Sequence, residues 1–297
     1  MSNASPIYRG RFAPSPTGDL HFGSLFAALI SYCEAKSQEG EWHLRIEDVD
    51  STRTIAGADQ RICKTLQTYE LMWDGPVIYQ TDSRQQQKYQ QALDRLTGLG
   101  LTYRCRCTRK QLSGYTAYPG HCRSQTVSEQ EPHSIRLIAD TDTISFDDKY
   151  QGQQHQHLQQ QCGDFIIVRK DGLFSYQLAV VVDDADAGIN HVVRGIDILD
   201  STALQIYLHQ KLGLTPPTYA HFPIIVNNSG HKLSKQNHAT AVSREDPAKV
   251  TRLVLQLLNQ DLPNKPMTQQ RLVQWAVDHW QPERFLGRQQ IVYGSTP

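Results

Sequence analysis

Two stretches far apart in the chain carry residues suited to phosphate chemistry. The first is RFAPSPTGDLHFGS, residues 11–24, where a strand-like run meets a Gly/Pro turn and then a helix start. The first N–H groups of a helix are unpaired and its dipole is positive there, so anions settle at that end. His21 adds a donor, and Gly23 removes a side chain where a nucleotide must come close. Alone, the stretch also reads as a tight connection. The second is SGHKLSKQNH, residues 229–238, in which Lys232 and Lys235 flank Ser234. Paired flexible cations can stabilise the charge that builds on a phosphate as a pyrophosphate leaves. Such a loop is otherwise a solvated surface feature.

A third group is made of thiols. Cys105 and Cys107 are two apart and Cys122 lies 15 further on (122 minus 107). Three thiolates bind Zn²⁺ well and want a fourth ligand to complete a tetrahedron. His121 is the fourth ligand that chemistry favours, although adjacent His121 and Cys122 would strain to reach one ion. A metal would also explain how a segment this poor in apolar residues stays folded. The alternative is three free thiols.

These residues need a frame. IYRGRFA reads as a strand, LHFGSLFAALISYCEAK as a helix, EWHLRIEDVD as a strand ending in acids, and AGADQRICKTLQTYELMW as a helix. That alternation predicts an α/β fold with a parallel sheet and crossover helices. SRQQQKYQQALDRLTGLG reads as a further helix. YRCRCTRKQLSGYTAYPGHCR is short on apolar periodicity and rich in Cys, Gly and Tyr, and residues 124–163 are polar, with the Gln-rich QGQQHQHLQQQ. This middle section reads as an insertion apart from the main sheet. DFIIVRKDGLFSYQLAVVVDD reads as two strand-like runs about an Asp-Gly turn. NHVVRG and HFPIIVN read as strands, with DILDSTALQIYLHQKLG as a helix between them. DPAKVTRLVLQLLNQ and TQQRLVQWAVDHW read as two amphipathic helices.

Ligands of parallel α/β sheets bind outside the carboxyl ends of the strands. Arg11 and Arg194 fall there, each suited to a bidentate carboxylate contact. Glu47 falls there too and suits an ammonium, while Tyr176 and Ser15 can supply hydroxyls. Strand-end arginines are also ordinary salt-bridge partners, and Tyr176 could be a core residue.

The chain has 297 residues, 39% hydrophobic, with a mean hydropathy of −0.51. No apolar run approaches the ~20 residues needed to cross a bilayer. No hydrophobic signal segment opens the sequence, so a cytoplasmic protein is expected. With 30 basic and 30 acidic residues the formal charge is zero. That gives no support for a nucleic-acid partner, though it leaves room for a local basic patch. The six cysteines, read without a secretion signal, are thiols or metal ligands. Cys33 and Cys63 fall in helical stretches as core residues.

HFGS resembles the HIGH signature of class I aminoacyl-tRNA synthetases, and KLSKQ resembles their KMSKS loop. RFAPSPTGDLHFGS, RIEDVDSTR, DGLFSYQLAVVVDDADAGINHVVRGIDILDST and HKLSK look like the catalytic core of the glutamyl-tRNA synthetase family over most of residues 7–240. That family normally carries a large anticodon-binding region after the lysine loop, and only 61 residues follow here (297 minus 236). CRC followed by YPGHCR resembles the zinc-binding segment of the truncated branch, the glutamyl-Q tRNA(Asp) synthetases.

The resemblance implies a Rossmann-like catalytic domain in two halves, 1–100 and 164–240. Between them would lie a zinc-binding α+β subdomain, 101–163, and after them a short helical region, 241–297, with no anticodon-binding domain. It implies glutamate binding by Arg11, Phe12, Ala13, Pro14, Ser15, Glu47, Tyr176 and Arg194. ATP would meet His21, Gly23, Lys232, Ser234 and Lys235, with His21 and Lys235 as the catalytic pair. One structural Zn²⁺ would be held by Cys105, Cys107, Tyr118 and Cys122, and Mg²⁺ would accompany ATP. The expected reaction activates L-glutamate with ATP, without tRNA, to glutamyl-adenylate. Glutamate then passes to queuosine in the anticodon of tRNA(Asp). A monomer is expected. The rival readings are a synthetase charging a tRNA 3′ end and a non-enzymatic tRNA-binding paralogue. Two departures stand out: KLSKQ replaces KMSKS, and Ser24 replaces the second histidine of HIGH, removing one phosphate donor.

Overall fold

The computed structural model describes residues 6–140, 143–230 and 245–293. The first half runs β1 (Arg9–Phe12), α1 (Phe22–Lys36), β2 (Glu41–Ile46), α2 (Ala58–Thr68), β3 (Ile78–Tyr79) and α3 (Ser83–Gly98). Next come β4 (Thr102–Cys105), β5 (Ser134–Leu137), β6 (Ile144–Asp148), β7 (Gly152–Gln156), α4 (Leu158–Gln161) and β8 (Phe165–Val168). Then follow α5 (Tyr176–Asp186), β9 (His191–Gly195), α6 (Thr202–Leu212), β10 (Thr218–Phe222) and β11 (Ile224–Val226). The chain closes with α7 (Pro247–Leu257), α8 (Gln269–Asp278) and β12 (Gln290–Val292).

The expected α/β parallel arrangement is present. β1, β2 and β3 pair in parallel. β9 pairs in parallel with β10. The two sheets meet where Asn190 N donates to Arg9 O (3.1 Å) and Arg9 N donates to Asn190 Oδ1 (2.8 Å). α1 buries residues around most of its circumference, including Leu25, Phe26, Leu29, Ile30 and Cys33. α7 and α8 add Val254, Leu255, Leu272 and Val273 to the same apolar cluster. Their amphipathic pattern therefore has a physical cause: one stripe completes the core beside α1. Cys33 is fully buried, and Cys63 packs partly buried against this cluster.

Two sequence expectations need correcting. The run after the Asp-Gly turn is a helix, α5, not a strand. Ser175 accepts a hydrogen bond from Leu178 N (3.4 Å) and caps it. Residues 178–184 are all buried, so α5 shows no polar face to betray a helical period. The turn itself is real, with Gly172 at φ +80° and Arg169 N donating to Leu173 O.

The polar middle is also not wholly apart from the main sheet. β4, β5 and β8 form a separate antiparallel sheet. But β6 pairs in parallel with β10 at Asp148 and Tyr219, and β7 adds the next antiparallel strand. The Gln-rich strand β7 sits at a sheet edge, where a polar, half-exposed sequence suffices.

One buried carboxylate ties three segments together. Glu34 of α1, 1% exposed, accepts from Tyr150 Oη (2.6 Å) and Trp280 Nε1 (2.8 Å) and pairs with Lys149. Glu34→Ala strands the buried Tyr150 hydroxyl and the half-buried Trp280 N–H, so it should cost about 2–4 kcal/mol. Urea unfolding would read this; a loss below about 1 kcal/mol would mean the network adds little.

Candidate active site and metal centre

A cavity of about 650 Å³ opens at the carboxyl ends of β1 and β9. Arg11, Phe12, Ala13, Pro14 and Ser15 form one wall as β1 runs into the proline turn. Glu47, Tyr176 and Arg194 line it from other elements, and His21 and Gly23 from the start of α1. The structure thus gathers into one space every predicted amino-acid-pocket residue and two of the predicted ATP residues. Lys232, Ser234 and Lys235 lie outside the described residues. β11, whose Ile224 and Ile225 line the cavity, leads toward them. β12 pairs with β11 in parallel and stiffens that approach.

The two arginines have different surroundings. Arg11, 5% exposed, gives its Nε–H to Asp184 at 3.2 Å. Its terminal N–H groups have no hydrogen-bond partner among the described residues, so they are available to a ligand carboxylate. Arg194, 6% exposed, has most of its donors engaged. Nε meets His221 Nε2 (3.0 Å), Nη1 meets Gln205 Oε1 (2.7 Å) and Tyr176 Oη (3.4 Å), and Nη2 meets Thr202 Oγ1 (2.9 Å).

Behind the wall lies a charge cluster that sequence reading missed. Arg45, 2% exposed, donates to Asp184 Oδ1 (2.6 Å) and Glu47 Oε1 (3.2 Å), with Asp183 at 3.5 Å. Asp183 in turn accepts from Tyr89 Oη (2.7 Å), Gln80 Nε2 (2.8 Å) and Gln85 Nε2 (2.9 Å). The available signal was the pair of acids ending the apolar run of α5 and an arginine inside strand β2. Burial pushes the Glu47 carboxyl up, opposed by Arg45 and Arg11. Burial acts the same way on Asp184, but Arg11 and Arg45 outweigh it and hold Asp184 low. Glu47 N also donates to Pro14 O (3.0 Å), binding the acid to the proline turn.

His21 caps α1. Its Nδ1 accepts from Ser24 N (3.3 Å), which leaves the proton on Nε2, 2.9 Å from Ser24 Oγ. Ser24, noted in the sequence as a missing donor, therefore holds His21 in one tautomer.

The thiols converge. The sulfurs of Cys105, Cys107 and Cys122 lie within 4.8 Å of one another. Cys107 and Cys122 are 3.6 Å apart, and Tyr118 Oη stands 3.3 Å from Cys105 Sγ and 3.7 Å from Cys107 Sγ. Around a tetrahedral zinc with ~2.3 Å Zn–S bonds, sulfurs sit about 3.8 Å apart and an oxygen about 3.5 Å from each. The four donors fit a metal of that type. His121 is exposed, its ring against Tyr115 (5.5 Å), and is not among the converging donors. Arg136 lies over the Tyr118 ring at 3.7 Å, a cation–π contact that holds the ring in place. Burial, with the Cys105 thiol beside it, pushes the Tyr118 phenol up. Burial acts to raise the Cys105 thiol, but hydrogen bonds from Tyr118 and Arg136 bring it down to about 7. Gly163 makes the approach possible: a Cβ there would stand 2.3 Å from Tyr118 O.

The fold and this cavity define an α/β core with a pocket at the carboxyl ends of its parallel strands. Residues 8–260 match the family described as tRNA synthetases class I (E and Q), catalytic domain. The chain is 48% identical over 278 residues to glutamyl-Q tRNA(Asp) synthetase of Pectobacterium atrosepticum, covering 92% of this chain and 85% of that one. It is 47% identical over 284 residues to the protein of that name in Dechloromonas aromatica, covering 92% and 94%. In fold it is similar to the glutamate-tRNA synthetase of Elizabethkingia anophelis, with a TM-score of 0.82 at 24% identity, covering 98% of this chain and 68% of that one. The chain belongs to the class I (E and Q) tRNA synthetase family, on its glutamyl-Q tRNA(Asp) synthetase branch.

Arg45→Leu should cost about 3–5 kcal/mol near pH 7, because it leaves buried carboxylates uncompensated. Burial already raises the Asp183 carboxyl in the folded state, and losing Arg45 raises it further. A raised acid binds its proton more tightly folded than unfolded. The penalty should therefore be small at low pH and grow as pH rises through about 4, levelling off above the folded value. Urea midpoints across pH would check this; a pH-independent loss would contradict it.

Proposed function

We propose that the chain activates L-glutamate with ATP, without tRNA, and transfers it to queuosine in the anticodon of tRNA(Asp). The observation that carries this is the single cavity joining two buried arginines and Glu47 to the start of α1. Glutamate carries two carboxylates and one ammonium. The terminal N–H groups of Arg11 and the remaining donor of Arg194 suit the carboxylates. Glu47, kept near Arg45, suits the ammonium, and Ser15 and Tyr176 supply hydroxyls.

In the first step an α-carboxylate oxygen attacks the α-phosphorus, and the bond to the departing pyrophosphate breaks. The N–H groups opening α1 face charge that develops on the phosphates, and His21 Nε2–H joins them by turning from Ser24 Oγ to a phosphate oxygen. Lys235 takes the role its motif implies, with Lys232 and Ser234 beside it. Mg²⁺ with ATP supplies neutralisation of phosphate charge. In the second step a hydroxyl of the queuosine cyclopentenediol attacks the adenylate carbonyl, loses its proton and displaces AMP. The nucleophile belongs to the RNA, so no protein Ser or Cys is required. The metal of the thiol cluster is read as one structural Zn²⁺ held by Cys105, Cys107, Cys122 and Tyr118. A monomer working in the cytoplasm completes the reading.

Glutamate-dependent ATP–pyrophosphate exchange without tRNA tests the first step, and glutamate charging of tRNA(Asp) with and without queuosine tests the second. Charging of unmodified tRNA(Glu) instead would sink the transfer reading in favour of a 3′-end synthetase. Absence of exchange would favour an RNA-binding paralogue. Lys235→Ala should slow exchange by roughly 10²–10³ with the fold intact. Metal analysis should find one zinc per chain, lost in Cys105→Ser and weakened in Tyr118→Phe. His121→Ala should keep it; the reverse order would make His121 the ligand.

A further inference from the structure

β9 and β10 lie side by side with Arg194 opposite His221. His221 is fully buried and its Nδ1 lies 2.5 Å from Asp148 Oδ2. Asp148 Oδ1 accepts three backbone N–H groups, from Tyr150 (3.1 Å), Gln151 (3.0 Å) and His221 (3.0 Å). Asp148 is thus fixed as an acceptor on both oxygens, and the His221 proton must sit on Nδ1. Nε2 then keeps its lone pair, which receives Arg194 Nε–H at 3.0 Å and lies 3.2 Å from Thr202 Oγ1. Thr202, Gln205 and Tyr176 take three more of the five Arg194 N–H groups. One N–H on Nη2 remains without a partner among the described residues, on a side chain that lines the cavity.

We infer that His221, locked by Asp148 into the Nδ1–H tautomer, is the positioning residue that aims Arg194 at the amino-acid substrate. This rests on the glutamate-pocket reading above. Asp148 belongs to the β6–β7 hairpin, so that hairpin sets the geometry of a pocket it does not line. His221 does not touch substrate; it fixes the guanidinium by one charge-assisted acceptor, and the tautomer decides whether that acceptor exists.

The test separates this role from simple core filling. In His221→Asn the amide nitrogen can replace Nδ1 and keep Asp148 satisfied, but no acceptor reaches Arg194. In His221→Gln the amide oxygen can replace Nε2 and receive Arg194, while the Asp148 contact is lost. Glutamate and ATP KM would be measured in full-length protein by pyrophosphate exchange, with thermal melts as the fold control. His221→Asn should raise glutamate KM by roughly tenfold with ATP KM unchanged, and His221→Gln should return it to within about threefold of native. Core filling gives the same size order, since glutamine replaces more of the ring's volume than asparagine, but it moves both KM values together with the melting temperature. The glutamate-only rise is what separates the two. Asp148→Asn must keep its oxygen toward the three N–H groups. Its NH₂ then faces Nδ1, drives the ring proton to Nε2, and opposes Arg194 Nε–H. It should give the same glutamate-specific rise, and none further in a His221→Gln background.

Native glutamate KM in His221→Asn, equal impairment of both His221 variants, or a parallel rise in ATP KM would overturn the inference. If the His221 variants do not fold, native glutamate KM in Asp148→Asn overturns it alone. Wild-type protein without glutamate-dependent exchange would instead overturn the activity reading, a distinguishable result.

Discussion

The buried contact between Arg45, Asp184 and Arg11 is the constraint on which the site depends. Asp184 Oδ1 stands 2.6 Å from Arg45 and 3.2 Å from Arg11, joining β2, β1 and α5 behind one cavity wall. Charges this deeply buried are tolerated only when paired, so the contact dictates where α5 sits against the two strands. It also leaves Arg11 with terminal groups that have no hydrogen-bond partner among the described residues, and Glu47 with a guanidinium beside it. An amino acid needs cations and an anion a few ångströms apart. This cluster keeps such groups from neutralising one another.

A similar logic holds the thiol centre. Asp164, 2% exposed, accepts from Tyr103 Oη (2.6 Å), Arg123 Nε (3.0 Å) and Ala139 N (2.9 Å). Burial acts to raise its carboxyl, yet Arg123 and Tyr103 outweigh this and hold it low. Gly163 and Cys162 lie next to it and receive the Tyr118 backbone, with Tyr118 N donating to Cys162 O (2.8 Å). Three sulfurs and a phenol oxygen thus meet in a segment with a small apolar cluster of its own. Polar anchoring does there much of what apolar burial does around α1, and the four donors are spaced to add metal ligation.

Much of the fold was legible because its helices and strands alternate with clear periods. β1, α1, β2 and α2 follow from local pattern, as do the two closing helices. α5 was misread because a helix buried on every side has no polar face. The β6–β7 hairpin was assigned away from the sheet because edge strands can be polar. The members of the amino-acid pocket were legible as strand-end residues and through family motifs. Their supports were not: Arg45 and Asp184 are 139 positions apart, and Arg11 and Asp184 are 173 apart. No local spacing links an acid inside an apolar run to an arginine inside a strand.

The sequence by itself determined the α/β class, the pocket's chemical groups, the three thiols and the family. Those properties live in residue types and short spacings, which the chain carries whatever its shape. Tertiary structure decided which arginine has donors without a partner among the described residues, that Tyr118 rather than His121 stands among the sulfurs, and that Ser24 holds His21. It also decided that Asp148, from a polar hairpin, fixes the tautomer of a histidine beside Arg194. Each of these is a question of which lone pair faces which proton. Packing brings distant segments together, and only then does a donor acquire its acceptor.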